Sequence, residues 1–275
     1  MATNQNNNAY HSAKQIMLEF DTRVSALDDL VHLTVQGIRH IEYMPELLRA
    51  IDTGQGSDRL QSADRQAALA KNEIKNEFPL LFSQATISLW AALEGLIRTL
   101  IASLLRDEKS LWECEEFSKV KVKITDYEML QGIDRYLYVV DTLEEATGTR
   151  RRSGIERFEH LFRVLGMSSP VPSDVATCLL ELYSFRNVII HRHGLVDRRL
   201  LKDCPWLKLS EGEELHVTHA QYHQHMVALN LYMFVLVNRI RVLFGKEPIT
   251  HDEQCHYSKN DFEYKTAASK TKPIE

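Results

Sequence analysis

The stretch that decides the fold is Ser173–Gly194, with the sequence SDVATCLLELYSFRNVIIHRHG. Its first two residues follow two prolines and are typical helix N-cap residues. Its last residue is a glycine, the residue type that ends helices in the left-handed conformation. The pattern therefore predicts one helix that carries Arg186 and His191 near its C-terminal end.

Helical spacing divides this helix into two faces. Arg186 lies inside an apolar stripe, almost in line with Leu179, and we expect it to be paired with an anion because an unpaired buried charge is costly. Asn187 and His191 share another face with Ser184, and His191 lies about 140° from Arg186. The stripe consists of Val175, Cys178, Leu179, Leu182 and Ile189. The second face is also partly apolar, so we expect both a core contact and a subunit contact.

An arginine, a polar residue, three further residues and a histidine at a helix end occur here as RNVIIH, within LELYSFRNVIIHRHG. This pattern resembles the motif of the HEPN superfamily (higher eukaryotes and prokaryotes nucleotide-binding). The resemblance implies an all-α, HEPN-like helical bundle. In active members it implies a metal-independent endoribonuclease of the toxin or phage-defence type, in which a homodimer brings two copies of the motif together. An antitoxin or another regulatory protein is a further implied partner.

The chemistry of RNA cleavage by its own 2′-hydroxyl suits these residue types. His191 is the predicted general acid or base, because the pKa of histidine lies near neutrality. Arg186 is predicted to bind the scissile phosphate, since its charged donors match phosphate oxygens. Asn187 is placed to orient the imidazole, while His193 is a second candidate for proton transfer and Ser184 a supporting residue. Helical spacing separates Arg186 from His191, so either the helix end unwinds near His191 or a two-fold axis places the motifs of two chains across a shared cleft. We favour the two-fold axis.

Glu94 is a carboxylate on an apolar helix, in the segment ALEGLIR. This segment resembles the helix with an acidic residue that precedes the motif helix in many HEPN proteins. Two pairings are open, one with Arg98 at helical spacing and one with Arg186, and we favour Arg186. A structural interpretation also stays open, in which a Glu94–Arg186 ion pair fixes the packing and His191 binds a helix-end carbonyl.

The net charge of −5 excludes a protein that coats nucleic acid through a general excess of basic residues. A local cluster can still hold one RNA segment. Arg192, Arg198 and Arg199 lie beside the motif and are the predicted RNA-binding residues. A second cluster, Arg150–Arg152, is interpreted as a solvated loop.

Four segments are predicted along the chain. Residues 1–10 are rich in asparagine and are expected to be disordered. Residues 11–78 are expected to form an N-terminal helical region, residues 79–245 the HEPN-like bundle, and residues 246–275 a polar C-terminal tail.

Several local signals refine this division. Pro45 is expected to break or kink the first long helix. A capping box at Thr125 predicts a helix that reaches Ala146, and the alternation in Val120–Ile124 fits a strand or a loop. The segment Trp206–Val217, WLKLSEGEELHV, predicts a small β-hairpin before the last helix.

The remaining patterns point to a cytoplasmic protein without a membrane segment, since the apolar runs look too short or too interrupted and no secretory signal is present. The four cysteines are widely scattered, which favours free thiols. His219 and His223 have metal-ligand spacing, but the neighbouring His216 and His225 do not complete a zinc motif, and surface histidines are the expectation. Nucleotide-binding glycine motifs are absent, so neither a metal nor a cofactor is expected.

Two other functions remain open at this point. The same cleft can belong to a noncatalytic HEPN-like module that binds a nucleotide, an RNA or a protein. A purely structural helical dimer is the third interpretation, because a fold does not by itself imply an activity. The sequence leaves the RNA target and the identity of any antitoxin open.

Overall fold

The computed structural model describes residues 2–51 and 57–249, which form ten α-helices and three short 3-10 helices without a β-strand. The all-α class predicted from the sequence is confirmed. The α-helices are α1 Ala2–Glu42, α2 Met44–Ile51, α3 Ser57–Lys75, α4 Pro79–Asp107, α5 Ile124–Met129, α6 Gly132–Ala146, α7 Glu156–Val164, α8 Ser173–His191, α9 Arg198–Asp203 and α10 His219–Leu243. The 3-10 helices are Lys109–Glu113, Glu115–Lys119 and Thr149–Arg151.

Helix α4 lies at the centre of the bundle and contacts α1, α6, α8 and α10. Pro79 opens it, at a position where the missing amide hydrogen costs nothing. Its apolar residues face in several directions, and Leu89, Trp90, Leu93 and Ile97 are buried. Burying a side chain of this size contributes about 1.5–3 kcal/mol, so α4 organises the core.

The N-terminal region packs directly on this centre. Helix α1 lies along α4 and also contacts α10, and its buried residues belong to the same core. The predicted disorder of residues 1–10 is wrong for residues 2–10, because α1 already begins at Ala2. Ala9 is buried and the ring of Tyr10 packs edge-on against Phe244, with 5.8 Å between ring centroids. The apolar stripe of α1 therefore extends further towards the N-terminus than the asparagine-rich composition indicates.

Pro45 acts as predicted. Helix α1 ends at Glu42, and a single turn residue, Tyr43, separates it from α2. Helices α2 and α3 then pack on each other and on α1.

The single helix predicted from Thr125 to Ala146 is instead two helices, α5 and α6. Thr125 lies inside α5 and its hydroxyl contacts the Asp126 carboxylate at 3.3 Å, so the expected capping box does not form. Gly132 opens α6 with a φ of 56°, a conformation that favours glycine. The alternating segment before α5 is a loop, which is one of the two alternatives considered.

The β-hairpin predicted at Trp206–Val217 is not formed among the described residues. A single antiparallel bridge joins Leu195 to Glu214 instead. The amide of Leu215 donates to the Gly194 carbonyl at 2.8 Å, so the segment pairs with the chain that leaves α8. The partner of the bridge thus lies outside the segment that was predicted to pair with itself.

The last helix, α10, begins and ends as predicted. Thr218 and Gln221 form a reciprocal capping box, and Gly245 follows the helix with a φ of 65°. The first residues of the predicted tail remain attached, because the Asn238 side chain exchanges two hydrogen bonds with the backbone of Ile249. The rest of that tail, residues 250–275, lies outside the described residues.

Two helices, α4 and α10, are long and apolar enough to cross a membrane when judged by length and composition alone, each with a mean hydropathy of 1.5. The sequence analysis expected the apolar runs to be too short or too interrupted by charge, and these two helices meet the test of length and composition. In the bundle, 56% of the apolar window of α4 and 44% of that of α10 are buried. The core helix of a compact bundle passes the same test, and α4 occupies that place here.

Candidate functional site

A cavity of about 600 Å³ lies between the C-terminal half of α8 and the short helix α9. Helical spacing separates Arg186 from His191 by about 140°, yet both line this cavity, because it extends around the end of α8. One chain therefore brings most of the predicted site residues together. Those that line it are Ser184, Arg186, Asn187, His191, Arg192 and Arg199.

The end of α8 gives the cavity its second wall. The amides of Arg192 and Gly194 both donate to the Val188 carbonyl, at 2.9 and 3.1 Å. Gly194 and His193 adopt positive φ values of 80° and 54°, which reverse the chain after His191. Helix α9 then begins behind an Asp197 cap, whose carboxylate accepts from the backbone amide three residues later at 2.8 Å.

His191 lies in the last turn of α8 and its side chain is exposed. A ligand can therefore reach the imidazole from solvent. His193, the second predicted histidine, is also exposed but does not line the cavity. The turn after α8 thus separates the two histidines.

Arg186 does not have the buried anion that the sequence analysis required. Its guanidinium is partly buried and its Nη1 donates to the Asn187 Oδ1 at 2.9 Å. Within residues 2–51 and 57–249, no carboxylate lies at salt-bridge distance from it. Leu179 and Arg186 lie on the same face of α8, but Leu179 is buried whereas Arg186 borders the cavity. The adjacent Phe185 is buried instead. The negative charge that balances Arg186 can therefore come from solvent or from a ligand in the cavity.

Asn187 also differs from its predicted role. It was expected to orient His191, one helical turn away, but its amide oxygen holds Arg186 instead. An amide oxygen is a neutral acceptor, so the positive charge of Arg186 is fixed in position and is not cancelled.

The expected pairing of Glu94 with Arg186 is wrong. The Glu94 carboxylate accepts from the Arg157 Nη1 at 2.6 Å, away from the cavity. The alternative rim pair with Arg98 is not formed either, because Arg98 binds Asp141 at 2.6 Å. Helical spacing could not reveal Arg157, which comes from a different helix, α7.

The Arg157 cluster is structural. Two nitrogens of Arg157 bind the fully buried Glu144 at 3.0 and 2.8 Å, in addition to Glu94. Burial by itself lowers the pKa of Arg157, but the hydrogen bonds and charges of Glu144 and Glu94 outweigh burial and raise it. Glu94 is thus committed to joining α4 to α7.

In the fold, carboxylates partly neutralise the predicted basic cluster of Arg192, Arg198 and Arg199. Arg192 Nε lies 3.3 Å from Asp197 Oδ2, and Arg199 Nε lies 3.6 Å from Asp203 Oδ2. Arg199 also donates to the Ser153 hydroxyl at 3.1 Å. Both arginines line the cavity, but each shares its charge with a carboxylate.

Arg198, the third arginine of this cluster, lies outside the cavity. It binds both carboxylate oxygens of Glu211 at 3.0 Å and does not line the cavity. On a helix as short as α9, adjacent residues point in different directions, so the run of two arginines is divided.

Three cavity residues were missed by the sequence analysis. Asp197 and Asp203 flank the arginines at the two ends of α9, and a search for basic residues passed over them. Tyr183 lines the same cavity, and its ring packs against Trp90 with 5.0 Å between centroids. Asp203 lies four positions after Arg199, and this helical spacing could have indicated their ion pair.

Ser184 lines the cavity but is buried, and the Cys204 thiol lies beside it. Burial raises the pKa of Cys204 to about 12. The thiol is therefore protonated at neutral pH, which makes Cys204 a packing residue. Cys114 is a second free cysteine in the described chain, and Cys255 lies outside the described residues.

The histidines near the start of α10 separate into different environments. His216 and His223 are exposed, whereas His225 is fully buried and its Nε2 lies 3.3 Å from Glu181. The rings of His219 and His223 stack with 6.5 Å between centroids. No group of three or more histidine, cysteine or acidic side chains in the described part of the chain is arranged to hold a metal ion.

The cavity thus combines a guanidinium whose charge is not cancelled, an accessible imidazole and two arginines held at its rim. Such a set can bind a phosphate and move a proton beside it. Comparisons with protein-family models, with curated proteins and with solved structures find no match to this chain. The HEPN resemblance therefore rests on the residues of the motif.

Proposed function

We propose that the protein is a metal-independent endoribonuclease of the HEPN type. The RNA 2′-hydroxyl attacks the adjacent phosphate and leaves a 2′,3′-cyclic phosphate and a 5′-hydroxyl. By the same resemblance, the proposed setting is a cytoplasmic toxin or phage-defence protein that is restrained by an antitoxin or another regulatory protein.

One observation carries this proposal. Arg186 has no carboxylate partner in the described chain and shares a cavity with the exposed His191. In an ordinary structural role, a partly buried arginine is paired with a carboxylate, as Arg157 is here. A site for a phosphodiester needs the opposite, a positive charge that is positioned and still available.

Each residue then has a distinct role. Arg186 binds the scissile phosphate and stabilises the charge that develops on it, while Asn187 fixes the guanidinium. His191 transfers a proton, either from the attacking 2′-hydroxyl or to the leaving 5′-oxygen. Arg192 and Arg199 contact flanking phosphates from the rim, at reduced charge.

A homodimer belongs to this proposal for a chemical reason. Cleavage needs both a base and an acid, and the cavity of one chain contains a single histidine among the described residues. A two-fold arrangement of α8 supplies a second copy of His191 across one bound RNA segment. Sedimentation of the purified protein at micromolar concentration tests this part, and a monomer that cleaves RNA at full rate would remove it.

The central experiment measures cleavage of mixed RNA in EDTA, with the product ends identified by enzymatic phosphorylation and mass spectrometry. Arg186→Ala and His191→Ala are expected to lower the rate by about 10² to 10⁴-fold, the usual contribution of such groups, and to melt within a few degrees of the wild type. Arg198→Ala and His193→Asn are matched controls, because both residues lie next to the motif but outside the cavity. Asparagine tolerates the positive φ of position 193.

The outcome that contradicts the enzyme is cleavage that continues unchanged in both Arg186→Ala and His191→Ala. Equal loss in the two control variants would instead point to a disturbed helix end. Metal-dependent cleavage that EDTA abolishes is also incompatible with the proposal.

The alternative is a noncatalytic HEPN-like module that binds a nucleotide, an RNA or a protein in the same cavity. The observation that favours it is the pairing of Arg192 and Arg199 with aspartates, which weakens the positive charge expected around a scissile phosphate. This function is identified by RNA binding that depends on Arg186 in a wild-type protein that cleaves nothing.

A further inference from the structure

The charges that line the cavity nearly cancel. Three arginines, at positions 186, 192 and 199, face two aspartates, at positions 197 and 203. With His191 neutral, the cavity therefore carries one positive charge more than negative. That excess belongs to Arg186, because each of the other two arginines has its own carboxylate partner.

The aspartates lie deeper than the arginines they bind. The side chains of Asp197 and Asp203 are 25% and 23% exposed, whereas those of Arg192 and Arg199 are 63% and 60% exposed. The carboxylates therefore form part of the cavity wall, while the guanidinium groups extend to its rim. A ligand that enters beyond Arg186 meets negative charge.

Asp203 has little structural reason to be acidic. Asp197 caps α9, but Asp203 is the last residue of that helix, where the helix dipole disfavours a carboxylate. Its pairing with Arg199 has a separation of 3.6 Å and the Arg199 side chain is 60% exposed, so the pair is worth about 0–1 kcal/mol. Asparagine at this position would keep the size of the side chain at little cost in stability.

We infer that the cavity selects a phosphate with a single negative charge, the internal phosphodiester of a polynucleotide, over polyphosphates, and that Asp203 is the specificity-determining residue. The inference rests on the proposed function in one respect, namely that a polynucleotide occupies this cavity. Beyond the proposed function, the inference specifies the charge of the phosphate group that the cavity binds.

The physical reason is charge balance. One diester phosphate neutralises the excess charge of Arg186. A nucleoside triphosphate carries about four negative charges at neutral pH, and the additional ones face Asp197 and Asp203. At a separation of about 8 Å in a water-like dielectric, each unit of repulsion weakens binding about two- to threefold, so the penalty grows with every added charge.

The test compares two probes that lack a 2′-hydroxyl and so cannot be cleaved by the proposed chemistry, thymidylyl-thymidine and thymidine triphosphate. Binding of each to the full-length protein is measured by calorimetry in EDTA at low salt. The wild type is expected to bind the dinucleotide at least as tightly as the triphosphate. Arg186→Ala is expected to weaken the dinucleotide about tenfold or more.

Asp203→Asn is expected to tighten binding of the triphosphate about tenfold and that of the dinucleotide only about two- to threefold, because the gain scales with ligand charge. The matched control is Asp64→Asn, which changes the net charge of the protein by the same amount. It disrupts a surface ion pair between Asp64 on α3 and Arg49 on α2. It should leave both affinities unchanged. Thermal melting of each variant checks that the fold is retained.

The inference is overturned if the wild type binds the triphosphate more tightly than the dinucleotide, if it binds neither probe, or if Asp203→Asn changes both affinities by the same factor. It can also be separated from the proposed activity. Selective binding of the dinucleotide without any RNA cleavage keeps the inference and removes the enzyme, whereas cleavage combined with tighter triphosphate binding does the reverse.

Discussion

Arg239 and Arg186 are both arginines on apolar helices, but the fold treats them in opposite ways. Arg239, on α10, is buried, and its guanidinium binds both carboxylate oxygens of Glu159 and the carbonyl and hydroxyl of Ser169. Its charge also lies 4.9 Å from the ring centroid of Phe162. Arg186, on α8, contacts one neutral amide oxygen and faces a cavity.

The difference shows what makes an arginine structural. Arg239 is enclosed because α7 and the segment after it bring a carboxylate, a carbonyl and an aromatic ring to one place. At Arg186 the described residues bring no carboxylate within salt-bridge distance, and a cavity separates this part of α8 from α9. A buried charge that is fully paired stabilises the fold, while a positioned charge left open is available to a ligand.

The largest expected effect on stability separates these two arginines directly. Arg239→Met should lower the free energy of unfolding by about 3–5 kcal/mol, because it leaves Glu159 buried without its partner. For a chain of this size that corresponds to a drop in Tm of about 10 °C. Arg186→Met should cost less than about 1 kcal/mol, since no buried partner is left behind.

Denaturant unfolding monitored by circular dichroism measures both changes. The double variant Arg239→Met with Glu159→Gln serves as the control, and it should recover part of the loss because the orphaned charge is gone. Equal destabilisation by the two single variants would mean that Arg186 is also a packing residue.

A smaller effect on stability is expected at Glu94, which the sequence analysis had predicted to pair with Arg186. Glu94→Gln should lower stability by about 1–2 kcal/mol, because a charged hydrogen bond to Arg157 becomes a neutral one. The rate of RNA cleavage should not change, as the cavity is untouched. The measurement is thermal melting together with the EDTA cleavage assay, and a cleavage defect without a stability defect would return Glu94 to the site.

The smallest effect concerns pH and a histidine far from the cavity. Burial, followed by the charges of Arg152 and Arg163, lowers the pKa of His160 below its ordinary value of 6.5, and its Nδ1 lies 2.8 Å from the Thr149 hydroxyl. Between pH 7 and 5.5 the unfolded chain takes up this proton before the folded one does, so stability falls as the pH falls.

His160→Asn should make the loss of stability between pH 7 and 5.5 smaller than in the wild type, since the titrating group is gone. His216→Asn is the control, because that histidine is exposed on the surface. The Tm at the two pH values gives the comparison. An unchanged difference in Tm for His160→Asn would show that other groups cause the acid sensitivity.

Local signals predicted the helices well where the pattern and the end signal agreed. The capping residues of α10, the break at Pro45 and the glycine after α8 were all found from the sequence. The β-hairpin predicted after α9 was not found, and Glu214 pairs with Leu195 instead, since an alternating pattern does not determine which segment is its partner. The helix break before Gly132 was missed because the capping box at Thr125 looked complete.

The site shows the same limit. The motif on α8 contributes Arg186, Asn187 and His191 to one cavity, and the neighbouring Arg192 and Arg199 line it as well. The partners were misjudged, since Glu94 turned to Arg157 and Asn187 turned to Arg186. Pairings between charged groups on different helices depend on the distances between helices, which a helical period does not contain.

The sequence by itself determined an all-α chain and a helix that ends in RNVIIH, because the spacing of apolar residues and the capping residues act over a few turns. Only the tertiary structure decided that Arg157 and Arg239 are paired with carboxylates while Arg186 faces a cavity. That outcome depends on where α7 and α9 come to lie against α8 and α10, and contacts between elements far apart in the chain set those positions.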